Sequence, residues 1–83
     1  MDSITRQSLL DEINRELNDA RYKFPNMHNL HEGYSVILEE LDEFWEAVRM
    51  KNVPGNLPRI QQARKELIQV AAMAMRCIED CCQ

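Results

Sequence analysis

Glycine is scarce in this 83-residue chain, with two glycines and three prolines, and a sheet protein of this size would need more turn positions than these supply. With 29% charged residues, the shortage points to an all-α domain. Long apolar runs are also missing. No stretch approaches the roughly 18 apolar residues of a membrane span, and the opening MDSITRQ has no basic region followed by an apolar core. These absences predict a cytoplasmic protein with no membrane partner. Concentrated positive charge is lacking too: the ten Lys and Arg are scattered and the net charge is -4. Binding a polyanion needs a dense basic surface to release counterions, so a nucleic-acid polymer is not an expected partner. The three cysteines, Cys77, Cys81 and Cys82, all fall in the last seven residues. That grouping builds no disulfide framework, and without a second pair or nearby histidines it does not make a zinc site.

The most informative gap is local. From Glu32 to Glu46 there is no basic residue, yet LEELDEFWEAV (Leu38 to Val48) sets five carboxylates, Glu39, Glu40, Asp42, Glu43 and Glu46, among large apolar side chains. A helix carrying acids only for solvation would normally pair them with Lys or Arg one turn away.

What is present, 45% hydrophobic residues, is enough for one folded domain over residues 1–83. A domain this small hides only somewhat more than about 60% of the surface its unfolded chain exposes, so oligomerisation is expected. Three helices are predicted. The first runs from about Ser3 to Tyr22, with Leu10, Ile13, Leu17 and Ala20 on one face, Ser3 or Asp2 as its cap, and Pro25 ending it. The connector FPNMHN leads to a second helix, about Leu30 to Met50, whose start Asn29 and Glu32 are placed to cap reciprocally. His28 and His31 read as ordinary polar surface there. Gly33, unfavourable in a helix by roughly 1 kcal/mol relative to Ala, implies close approach of another segment or a ligand. After the break KNVPGNLP, with Asn56 as the predicted cap, a third helix spans about Leu57 to Asp80. It is apolar nearly all round between Leu67 and Met75, a pattern most simply completed by another subunit.

At 100° per residue, Tyr34, Ile37, Leu38, Leu41, Phe44, Trp45 and Val48 form the main apolar arc of the second helix. Glu40 and Glu43 share the opposite sector with Val36 and Ala47. This is a second, narrower contact surface with two acids in it. On the third helix Glu66 and Gln69, one turn apart, are the polar residues set into the apolar wall, and antiparallel packing can bring them opposite Glu40 and Glu43. Grouped carboxylates repel unless something positive sits between them, and a hard divalent cation answers that need. The di-iron alternative lacks the Glu-x-x-His pairs such bundles use.

The pattern Glu39-Glu40-x-x-Glu43 followed by Glu66-x-x-Gln69, within HEGYSVILEELDEFWEAV and KELIQVAAMAMR, resembles the EExxE and ExxD signature of the MazG-type all-α nucleotide pyrophosphohydrolases, in particular short phage-encoded members. The resemblance covers about Leu30 to Arg76. It implies a helical bundle of about three antiparallel helices per chain, completed as a homodimer or tetramer. It implies hydrolysis of nucleoside triphosphates to the monophosphate and pyrophosphate with Mg²⁺, or Mn²⁺ as the alternative ion. Carried onto this sequence, Glu40, Glu43 and Glu66 hold the metal, with Gln69 as a further ligand and Glu39 as a ligand or the base that orients water. Lys51, Arg64 and Lys65 are the cations placed to meet phosphates, and Trp45 or Tyr34 to stack on a base. The departure is Gln69, where the signature has Asp: the amide keeps an oxygen donor but removes one negative charge. A non-catalytic MazG-like domain, acting by protein association or weak nucleotide binding, is the competing expectation.

Overall fold

A computed structural model describes residues 5–83 as three α-helices, α1 (Arg6–Lys23), α2 (Leu30–Arg49) and α3 (Arg59–Cys81). The expected caps Asp2 and Ser3 lie outside the described residues. Thr5 does the capping, its hydroxyl accepting from the Ser8 backbone N–H at 3.1 Å. Phe24 ends α1 in extended geometry, φ -131°, as a residue before proline prefers.

The α1–α2 connector is tied down more firmly than its turn-forming sequence suggests. Met27 is 3% exposed, and its N–H donates to the Asp80 carboxylate at 2.8 Å. Arg76, buried in α3, donates to the Pro25 carbonyl at 2.7 Å and lies 5.8 Å over the Phe24 ring. Half of the expected reciprocal cap forms: Asn29 accepts from the Glu32 N–H at 2.8 Å. Glu32 reaches past Asn29 to His28, accepting from its backbone N–H at 3.3 Å and meeting its Nδ1 at 2.8 Å.

Asn56 is not the cap of α3, contrary to the sequence expectation. Val53 to Asn56 close a turn in which the Asn56 N–H donates to the Val53 carbonyl, with Gly55 at φ +91°. Proline then glycine at the two central positions is the signature of a type II turn. With Asn56 held in the turn, Asn52 takes the capping role, accepting from the Arg59 N–H at 2.6 Å.

Helix α3 lies between the other two, and α1 and α2 each pack their backbones against it and not against each other. Leu17, Ala20, Ala72 and Met73 form the buried centre, flanked by Ile13, Val36, Ile37 and Met75. Gly33 marks a close approach of α2 to α3. A Cβ there would stand 2.3 Å from the Cys77 sulfur, so the glycine admits a chain segment, as its helical position implies.

The molecule measures 42 × 27 × 19 Å with a radius of gyration of 14.1 Å, against about 12 Å for a compact domain of this length. The excess has a visible cause. Helix α2 docks on α3 through its narrow sector (Gly33, Val36, Glu40, Ala47), while Tyr34, Leu38, Leu41 and Trp45 of the wider arc are exposed.

Candidate metal centre

Two helices build the site. Glu40 and Glu43 stand one turn apart on the α3-facing side of α2, and α3 supplies Glu66 from across the interface. One carboxylate oxygen from each residue lies within 4.8 Å of the other two. The burial is graded: Glu66 is 7% exposed, Glu40 half-buried and Glu43 exposed. The cluster therefore opens to solvent on its Glu43 side.

The electrostatics are those of an acid group short of positive charge. Burial, then the neighbouring charges of Glu43, Glu66 and Glu39, push the Glu40 carboxyl up to about 7. Burial and Glu43 raise Glu66 as well, opposed by a hydrogen bond from Gln62 and the charge of Lys65. One Glu66 oxygen accepts from the Gln62 amide at 3.0 Å. The other, and one oxygen of Glu40, are buried without a hydrogen-bond partner. A buried acceptor without a donor costs about 1–3 kcal/mol, more when charged. Oxygen donors of this kind, clustered and partnerless, fit a hard divalent cation.

The other expected site residues divide by position. Glu39 is exposed beside the cluster, and Gln69 is half-buried one turn beyond Glu66. Lys65 lies near enough to oppose the rise in Glu66. Lys51 is exposed in the loop after α2. Arg64 turns toward α1, where both its terminal nitrogens bind the Glu12 carboxylate. Trp45 and Tyr34 sit on the exposed arc, and Arg49 packs 5.7 Å over the Trp45 ring. Neither Arg64 nor the aromatic pair is brought to the carboxylates. Gln62 and Arg76 are what sequence reasoning passed over. Gln62 was findable, since four residues before Glu66 is one helical turn.

Comparison with family models, curated proteins and solved structures finds no match to the chain. The features that define its class are therefore its own: an all-α fold with a three-glutamate cluster across one helix pair. Among the described residues, no helix is long and apolar enough to cross a membrane.

Proposed function

We propose that the protein is a MazG-like, divalent-cation-dependent nucleoside triphosphate pyrophosphohydrolase that works as an assembly of identical chains. The observation that carries the reading is the convergence of Glu40, Glu43 and Glu66 with two buried carboxylate oxygens left without partners. Mg²⁺, or Mn²⁺ in its place, would be held by these three carboxylates, with Gln69 available as a neutral oxygen donor. When bound, such an ion neutralises phosphate charge and lowers the pKa of a coordinated water. The chain's own residues supply the rest. Glu43 faces solvent, so the cluster is reachable by a triphosphate. Glu39, exposed beside Glu40, is free to orient a water and accept its proton. Lys65 and Lys51 supply positive charge for the phosphate chain. Water attack then divides the triphosphate into a nucleoside monophosphate and pyrophosphate.

A second reading has specific support: a non-catalytic relative that retains the acidic cluster and acts through association. Gln69 carries no charge where the signature has Asp, and Arg64, one of the expected phosphate cations, is already paired with Glu12.

The test is release of pyrophosphate from a panel of standard and modified nucleoside triphosphates with Mg²⁺ or Mn²⁺, and its loss in Glu43→Gln. No release from any nucleotide, with no effect of either ion on thermal stability, refutes the enzymatic reading. Activity that appears only in Gln69→Asp establishes the second.

A further inference from the structure

Away from the carboxylates, three sulfur atoms gather where the α1–α2 connector meets α2 and the last turns of α3. Met27 of the connector and Cys77 of α3 are 3% and 8% exposed, and Cys81, one helical turn beyond Cys77, is half-buried. Gly33 of α2 is the gap they crowd: the point its Cβ would occupy lies 2.3 Å from the Cys77 sulfur and 3.4 Å from the Met27 sulfur. The Cys81 thiol donates to the Met27 carbonyl at 3.8 Å. Burial, and then the Cys77 thiol beside it, raise the Cys81 pKa. Cys82 is exposed at the end of the helix.

The donor chemistry selects the ligand. Two thiols one turn apart are too few for zinc, which closes its structural sites with four ligands. The fold adds the Met27 thioether, which no spacing within α3 reveals. Thioether and thiolate sulfur together are soft donors that favour Cu(I) over harder ions. The thioether is also held in place. The Met27 N–H is bound by the Asp80 carboxylate at 2.8 Å, and the Pro25 carbonyl by Arg76 at 2.7 Å, so the connector backbone is fixed before any ion arrives.

We infer that Met27, Cys77 and Cys81 form a site for a single cuprous ion, held by two thiolates and one thioether. Binding exchanges protons for metal: both S–H bonds break, two Cu–thiolate bonds form and the protons pass to solvent, while the thioether gives a lone pair. Copper stays in its +1 state throughout, so no electron is transferred. The filled site carries one net negative charge. Arg76, next to Cys77 in the chain, is a buried cation whose Nε has no hydrogen-bond partner. Asp80, the acid next to Cys81, already has its charge met by Arg21 at 2.9 Å. The ion would join the connector to the end of α3, and none of the clustered glutamates takes part, so the inference is independent of the catalytic reading.

The test is anaerobic titration of the full chain with Cu(I), in competition with the chelator bicinchoninate. One ion per chain should bind, and X-ray absorption should show a shell of three sulfurs. Cys82→Ser should leave affinity and stoichiometry as they are. Cys81→Ser and Met27→Leu should each weaken binding at least about tenfold, since losing even an outer partner of a metal ligand costs about 10–100-fold. Met27→Leu nearly conserves volume, and its melting curve without copper establishes that the fold is kept. Unchanged affinity in Met27→Leu, or oxygen or nitrogen in place of the third sulfur, overturns the assignment. Binding that vanishes in Cys82→Ser overturns it too, because the exposed thiol would then be the ligand. Glu43→Gln should bind Cu(I) as wild type does, whatever the outcome of the pyrophosphate assay.

Discussion

Removing the charge of Glu40 should stabilise the metal-free protein, and only at neutral and higher pH. The Glu40 carboxyl is pushed up from 4.5 to about 7 by burial and by Glu43, Glu66 and Glu39. Its folded-state pKa therefore lies above that of the unfolded chain. Below about pH 4.5 the group is protonated in both states and costs nothing. Between about 4.5 and 7 the unfolded chain has released a proton that the folded one retains, so stability falls as pH rises. Above about 7 the full cost is present. At about 1.4 kcal/mol per pKa unit the interval sets a ceiling near 3 kcal/mol. Because the cluster opens to solvent on its Glu43 side, screening reduces this to about 1–2 kcal/mol. Glu40→Gln keeps the shape and removes the charge. In chelator and at fixed protein concentration, its Tm should match wild type at pH 4.5 and exceed it by about 5–15 °C at pH 8. Mg²⁺ at pH 8 should then raise the wild type more than the variant. A Tm difference that is the same at pH 4.5 and pH 8, or a variant less stable than wild type at pH 8 without metal, would refute the reasoning.

Other expectations follow from single contacts. Gly33→Ala drives a methyl into the Cys77 sulfur and should cost about 1–3 kcal/mol in denaturant melts; adding Cys77→Ala should recover much of the loss, and no recovery would mean that α2 and α3 are not held together at this point. Asn29→Ala removes the acceptor for the Glu32 N–H and should cost about 1 kcal/mol. Asn56→Ala should be near neutral while Asn52→Ala destabilises, since Asn52 caps α3. Glu43→Gln should abolish pyrophosphate release and reduce the thermal response to Mg²⁺.

Periodicity made the helices and their antiparallel order legible, because an amphipathic repeat is a local property of the chain. It also located the acids: Glu40 and Glu43 shared a sector with Val36 and Ala47 that lacked basic partners, and Glu66 interrupted an apolar wall. What periodicity cannot rank is which of two apolar faces a helix spends inside its own chain. In α2 the narrower face wins, since Gly33 lets the helix approach α3 closely while the bulky arc of Tyr34, Leu38, Leu41 and Trp45 cannot. Long-range polar anchors were equally invisible. The hydrogen bond from Arg76 to the Pro25 carbonyl joins residues 51 apart, and no local spacing rule reports such a pair. The error over Asn56 has the same origin: a good capping residue was already occupied by the turn that contains it.

Helix α1 packs on α3, tied to it by Glu12 with Arg64 and, toward its C-terminus, by Arg21 with Glu79 and Asp80. The acids and the open apolar face belong entirely to α2 and α3. This arrangement predicts that the first helix opens locally before the acidic cluster does, baring Leu17, Ala20 and the back of Ala72. Substitutions along Ile13, Leu17 and Ala20 would then act on how long each molecule survives proteases and chaperones in a cell, and so on its abundance, with the chemistry of every surviving copy unchanged.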